Sequence, residues 1–76
     1  SYNKALELNP NLTEIYYNQA NILRDLGRLE KALLSYNKTL ELNPNFIEAY
    51  NNKGNILRSL GRLEEALLSY KKVYII

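Results

Sequence analysis

The stretch LGRLEKALLSY at residues 26–36 returns 34 residues later as LGRLEEALLSY at residues 60–70, with a single change. Another landmark keeps the same offset, since Asn-Pro-Asn stands at residues 9–11 and again at residues 43–45. Self-similarity at a fixed period of this length is typical of repeat architectures, in which each repeat is one small helical or strand unit. The 76-residue chain is therefore expected to be built from repeats.

Proline and glycine mark where the helices of each repeat should end. A residue that precedes proline is pushed out of the α region, so a helix is expected to end just before Pro10 and again just before Pro44. Gly27 and Gly61 follow apolar stretches, where a residue in the left-handed conformation commonly closes a helix. Each repeat is therefore predicted to contain two helices of about 14 residues joined by a glycine turn.

Apolar residues between these breaks recur every three or four positions, which is the helical spacing. Tyr16, Ala20 and Leu23 show it in the first helix, and Ala32 and Tyr36 show it in the second. The small side chains of Ala20 and Ala32 indicate a close approach of the paired helices. We predict an all-α fold. Its segments are the second half of a second helix at 1–9, a repeat at 12–42 with helices at 12–26 and 29–42, and a repeat at 46–76 with helices at 46–60 and 63–76.

Asparagine side chains are expected to cap the first helix of each repeat. Asn11 and Asn45 can accept hydrogen bonds from the first free backbone N–H groups of a helix. Glu14 and Glu48 stand three residues further on, which is the spacing of a capping box.

The order of these residues resembles the tetratricopeptide repeat family, and the resemblance covers the whole chain. It implies helical hairpins that stack into a right-handed α-solenoid whose first helices line a concave groove. One departure is that Gln19 and Lys53 stand where the family usually has leucine, which predicts looser packing or a polar contact there. The residues that carry the resemblance are Tyr16, Ala20, Leu23, Gly27, Ala32, Tyr36, Leu40, Pro44, Tyr50, Gly54, Leu57, Gly61, Ala66 and Tyr70.

The ends of the chain predict a fragment of a longer array. Residues 1–9 match only the later part of a second helix, and residues 73–76 place an apolar Ile75 where Glu41 stands one repeat earlier. Such arrays usually need about three repeats and polar end caps for stability and solubility. The alternative is that the exposed ends pair with a second copy of the chain, giving a homodimer.

Composition excludes several kinds of site. The absence of cysteine and histidine removes disulfides, thiolate metal sites and the commonest general base. A net charge of +2, with Lys and Arg interleaved among Glu, argues against nucleic acid, which needs a concentrated basic stripe. No apolar run approaches the ~20 residues of a membrane span. We expect no enzyme activity, cofactor, metal, nucleic acid or membrane partner; the cytoplasm is favoured, although no residue fixes the compartment.

Asparagines on the first helices are the candidate binding residues. Asn18 and Asn21 lie three residues apart on one helix, and Asn52 and Asn55 repeat them. A carboxamide can donate to a peptide C=O and accept from a peptide N–H, so it holds a backbone without reading side chains. The same asparagines could instead be solvated or bond to neighbouring turns of the array. The groups expected to set side-chain preference in the groove are Glu14, Tyr17, Arg24, Glu48, Asn51 and Arg58.

The leading hypothesis for function is a scaffold module that binds a protein or peptide and has no chemistry of its own. A second hypothesis is the substrate-recruiting arm of a larger enzyme such as a glycosyltransferase, which would carry the same repeats. An RNA-binding helical repeat is disfavoured by the strict 34-residue register and the weak net charge. A purely structural spacer is the remaining alternative.

Overall fold

The computed structural model describes residues 12–74, and these residues form four α-helices and no strand. The half-helix predicted at residues 1–9 and the cap predicted at Asn11 lie outside the described residues. The helices are α1 (Leu12–Asp25), α2 (Leu29–Leu42), α3 (Ile47–Ser59) and α4 (Leu63–Tyr74).

The four helices make two hairpins that stack in chain order. Helix α1 packs against α2, α3 packs against α4, and α3 also packs against α2, so the second hairpin lies on the first. The chain is thus an all-α helical repeat solenoid. Because each hairpin contacts only its neighbour, the first helices α1 and α3 occupy equivalent places one repeat apart.

Both glycine turns are formed as the sequence predicts. Gly27 and Gly61 each have φ of +79°, a conformation that a side chain with a Cβ would strain. The next residue closes the helix from behind, since the Arg28 N–H donates to the Leu23 carbonyl at 2.8 Å and the Arg62 N–H donates to the Leu57 carbonyl at 2.8 Å. This bond from the second residue past the helix is the Schellman arrangement, and it satisfies a carbonyl that the helix leaves open.

The cap predicted at Asn45 is wrong. Helix α3 begins at Ile47, its capping position is Phe46, and no side chain makes a capping hydrogen bond there. The reason lies two residues earlier, where the Asn43 side-chain oxygen accepts a hydrogen bond from the Asn45 backbone N–H at 3.1 Å. This local turn is a common use of asparagine, and it places Asn45 within the turn instead of at the end of the helix.

The core runs through both hairpins and is lined by small residues where helices pair. Ala20 and Ala32 are fully buried, as the sequence predicts for a close approach. At Gly54, which is equivalent to Ala20, an added Cβ would lie only 2.8 Å from the Tyr70 ring. The buried apolar core consists of Ala20, Ala32, Leu33, Tyr36, Ala49, Ile56, Leu57 and Ala66.

Candidate peptide-binding face

All ten predicted groove residues lie on the first helices of the two hairpins, five on α1 and five on α3. We call the surface formed by these ten residues the asparagine face. Their exposure differs, which decides how many can meet a ligand. The exposed members are Glu14, Asn18, Glu48, Asn51 and Arg58, and the half-buried members are Tyr17, Asn21, Arg24, Asn52 and Asn55.

Asn52 joins the two hairpins across the asparagine face. Its side-chain Nδ2 donates to the Tyr17 hydroxyl at 3.0 Å and to the Asn21 Oδ1 at 3.4 Å. The Tyr17 ring also packs against Phe46 with centroids 4.7 Å apart. One amide hydrogen-bond donor therefore fixes α3 relative to α1, which is the second use that the sequence left open for these asparagines.

Asn21 and Asn55 make the same bond in successive repeats. The Tyr36 hydroxyl donates to Asn21 Oδ1, and the Tyr70 hydroxyl donates to Asn55 Oδ1. Each bond ties the first helix of a hairpin to the second helix of the same hairpin. The carboxamide oxygens are therefore used within the fold, while within residues 12–74 the Nδ2 groups of Asn21 and Asn55 have no hydrogen-bond acceptor.

Tyr36 is the centre of the polar network on the first hairpin. Besides donating to Asn21, its hydroxyl accepts a hydrogen bond from Arg24 Nη1 at 3.3 Å. Burial raises the pKa of Tyr36 above its ordinary value of 10, and the nearby Arg24 guanidinium opposes the shift. Arg24 is also held by the Asp25 carboxylate at 3.3 Å, so its guanidinium has a fixed place beside Tyr36.

The second hairpin holds its arginine less firmly. Arg58 is exposed, and Ser59 stands where the first hairpin has Asp25. Among residues 12–74, Arg58 has no side-chain hydrogen bond or ion pair. The two arginines of the asparagine face are thus one fixed and one free to move, a difference that their identical spacing in the sequence does not reveal.

The network fixes the hydrogen-bonding sense of the groups that remain for a ligand. Asn21 and Asn55 offer N–H donors, because their oxygens already accept from tyrosines. Asn52 offers its oxygen, because its nitrogen already donates to Tyr17 and Asn21. Asn18 is exposed and offers both. An extended peptide presents C=O and N–H groups in alternation, which is the pattern that such a row can meet.

Sequence reasoning missed the two tyrosines that orient the asparagines. Tyr36 and Tyr70 were assigned to the core by their spacing, and their rings do pack there. The signal available in the sequence was the constant separation of 15 residues between each asparagine and its tyrosine, which holds in both repeats. That separation alone does not show that the hydroxyl reaches the carboxamide.

A second concave surface lies between α3 and α4, outside the asparagine face. It is a cleft of about 200 Å³, and Lys53 in its wall is half-buried. Burial lowers the pKa of Lys53 from its ordinary value of 10.5, although Glu65 acts in the opposite direction. This lysine is one of the two departures from the family pattern. The cleft is lined by Tyr50, Lys53, Leu57, Glu65, Leu68, Ser69 and Lys72.

Two further searches cover residues 12–74. None of the described helices combines the length and the apolar character that a membrane crossing requires. The described residues also contain no group of three or more acidic, histidine or cysteine side chains placed to hold a metal ion.

Comparison with known proteins gives the family directly. A family model described as "TPR repeat" matches residues 20–57, which is half of the chain. Models described as "Tetratricopeptide repeat" match residues 1–33 and residues 47–74. The chain belongs to the tetratricopeptide repeat family. The repeats are of the kind that typically serves as a non-enzymatic protein-interaction module, so a scaffold role in general terms is supported.

Solved structures of tetratricopeptide type agree with this assignment. One, described as "Crystal structure of MamA", has a TM-score of 0.82 and 30% identity, and the match covers 95% of this chain and 42% of that chain. Another, "Crystal structure of MamA protein", has a TM-score of 0.78 and 31% identity, covering 93% and 39%. The chain therefore spans about two fifths of these structures. No curated protein matches.

Proposed function

We propose that the chain is a protein-binding scaffold that holds an extended peptide segment of its partner along the asparagine face. Tetratricopeptide domains generally bind protein partners, and the chain belongs to that family. The observation that carries the finer proposal is the hydrogen-bonding sense of the asparagines. Tyrosines orient Asn21 and Asn55 through their oxygens, which leaves an N–H donor per repeat for a ligand carbonyl.

The spacing of these donors suits an extended chain. Packed helices lie about 8–10 Å apart, and three residues of extended peptide span about 10 Å. Donors one repeat apart therefore meet every third residue of a ligand. A row of this kind recognises backbone, while the exposed Glu48, Asn51 and Arg58 would set the preference for side chains.

A homodimer through the exposed ends is a separate partner proposal, developed below. The alternative function, a substrate-recruiting arm of a larger enzyme such as a glycosyltransferase, uses the same face in the same way. It differs from an adaptor only in the domain to which the repeats are attached.

The test uses a substitution that keeps the fold's hydrogen bond and removes the ligand's. In Asn21→Asp with Asn55→Asp, a carboxylate oxygen still accepts from Tyr36 and Tyr70, but the N–H donors are lost. Binding to an array of random extended peptides is compared for the parent chain and this variant. Melting curves establish that both are folded.

A matched control carries the same charge change away from the two donors. Ser59→Asp with Asn45→Asp adds two carboxylates at exposed positions, one of which has Asp in the other repeat. We expect the parent and this control to bind one peptide class and the donor variant to lose at least tenfold in affinity. Equal binding by all three would exclude the asparagine donors as ligand contacts. A parent that binds no peptide would refute an extended-peptide groove.

A further inference from the structure

The second hairpin covers one side of the first, and this side is defined by residues on α2. We call it the stacking face, formed in the first hairpin by Leu33 and Tyr36 with Tyr17 and Asn21 of α1. Leu33 is 6% exposed and Tyr36 is fully buried, because α3 packs against α2. Tyr17 contacts the Phe46 ring and accepts from Asn52 at this junction.

The same face of the second hairpin is open. Leu67 is equivalent to Leu33 in a nearly identical stretch of sequence, yet it is 57% exposed. Tyr70, equivalent to the fully buried Tyr36, is half-buried. The local sequence is the same, so the difference in exposure comes from the helix that covers one face and not the other.

The opposite end of the chain exposes the surface that would cover it. Ile56 on α3 is 1% exposed at the junction between hairpins, whereas its equivalent Ile22 on α1 is 59% exposed. Asn18 is likewise exposed where its equivalent Asn52 donates across the junction. Residues 1–9 align with residues 35–43. They therefore supply no side chain at the position equivalent to Leu33.

We propose that these two open faces bind each other between copies, with α1 of one copy lying on the stacking face of α3 and α4 of the next. The occupant is a second copy because the chain already contains this junction once, between its own hairpins. Ile22 would take the place of Ile56 against Leu67. The Asn18 amide would donate to Asn55 Oδ1, as Asn52 donates to Asn21.

The resulting contact is head-to-tail. A contact that joins two different faces does not close on itself after two copies unless the rotation allows it, so copies add in a row. The side chains brought together are neutral (Ile, Leu, Asn and Tyr), and like charges do not oppose them. A row of copies would also lengthen the asparagine face, although this association does not require that the face bind peptide.

The junction between copies differs from the inner junction in one pair. Tyr17 and Phe46 pack at 4.7 Å inside the chain, but their equivalents at the open faces are Asn51 and Leu12. An aromatic pair contributes beyond its buried area, so its absence weakens the contact between copies. We expect association that depends on concentration, and we expect Asn51→Tyr combined with Leu12→Phe to strengthen it.

The test is the mass of the chain in solution as concentration rises, measured by sedimentation equilibrium. We expect the parent mass to increase above that of one copy, and Ile22→Glu or Leu67→Glu to abolish the increase. Leu34→Glu is the matched control, because Leu34 is 68% exposed on α2 outside both faces. A parent that stays a single copy at millimolar concentration would overturn the proposal, as would an equal loss in the control.

Mixing the two variants tests the head-to-tail arrangement itself. Ile22→Glu keeps an intact stacking face and Leu67→Glu keeps an intact α1, so an equal mixture should form dimers that do not grow further. A mixture that stays monomeric while the parent associates would overturn the arrangement. The strengthening variant needs no disruption of the fold, and we expect it to lower the dissociation constant by about two- to tenfold. An unchanged constant would also count against the proposal.

Discussion

The two hairpins carry almost the same second helix, yet the same leucine is buried in one and exposed in the other. Leu33 is 6% exposed under α3, while Leu67 is 57% exposed at the open end. Small residues show a related contrast, since Ala20 is buried without displacing its neighbours and Gly54 lies against the Tyr70 ring. In a solenoid the burial of a residue is set by the neighbouring repeat as much as by its own repeat.

Truncation of the two leucines should separate these environments most clearly. We expect Leu33→Ala to reduce the free energy of unfolding by about 2–4 kcal/mol, because it removes buried methyl groups and leaves a cavity. Leu67→Ala should cost no more than about 0.5–1 kcal/mol, as is usual for exposed positions. Urea unfolding at micromolar concentration measures both without help from association between copies. Equal losses would mean that Leu67 is covered and that the two faces are alike.

A methyl group added to or removed from the paired small residues should be nearly as informative. Gly54→Ala brings a Cβ to within 2.8 Å of Tyr70 Cε1. The helix propensity gained is about 1 kcal/mol, but overpacking costs about 1–3 kcal/mol, so we expect a net loss of up to about 2 kcal/mol. Ala20→Gly should also destabilise, by about 1–2 kcal/mol, through propensity and the lost methyl.

The sign of the Gly54→Ala effect should reverse once the ring is gone. In a Tyr70→Leu background we expect the same change to stabilise by up to about 1 kcal/mol, since only the propensity gain remains. Thermal or urea unfolding of the four proteins forms the cycle. A loss of equal size in both backgrounds would show that the Tyr70 ring is not the group that limits space at Gly54.

Removal of the two tyrosine hydroxyls compares the polar networks of the hairpins. We expect Tyr36→Phe to cost about 1–2 kcal/mol, because the hydroxyl donates to Asn21 and accepts from Arg24 in a buried place. Tyr70→Phe, with one partner in a half-buried place, should cost about 0.5–1 kcal/mol. Unfolding free energies of both variants give the comparison. A larger cost at Tyr70 would reverse our ranking of the two networks.

Sequence reasoning succeeded where a feature depends on local backbone chemistry. The glycine turns at Gly27 and Gly61 and the small buried residues were predicted because a left-handed turn and a close helix pair each restrict the residue types allowed. The cap at Asn45 was wrong because two asparagines compete for that turn, and Asn43 bonds first. Nothing local distinguishes them.

Contacts between repeats were beyond the sequence for a different reason. The bonds of Asn52 to Tyr17 and Asn21 join residues more than thirty positions apart and depend on how α3 settles on the first hairpin. The asparagines were singled out for a ligand, and the structure places their polar groups partly in the fold. The residue pattern is identical in both repeats, so it cannot show that Leu33 and Leu67 differ.

The smallest expected effect is on the pH dependence of stability near pH 10, where each hairpin contributes one group of opposite sign. The pKa of Tyr36 in the first hairpin is raised by burial, so the folded chain holds this proton when the unfolded chain has released it. Its contribution to stability is complete below pH 10 and is lost as the pH rises through the raised value. The pKa of Lys53 in the second hairpin is lowered by burial, so stability rises with pH through the region between that pKa and 10.5.

Two variants separate these opposing slopes. Tyr36→Phe should remove the fall in unfolding free energy that the parent shows above about pH 10, and Lys53→Gln, which introduces the residue found at the equivalent Gln19, should remove the rise. Unfolding free energies are measured at steps from about pH 8 to pH 11 for all three proteins. Parallel curves for the parent and Tyr36→Phe would mean that the Tyr36 hydroxyl is as well solvated in the folded chain as in the unfolded one. In that case the polar network would no longer distinguish the covered hairpin from the open one.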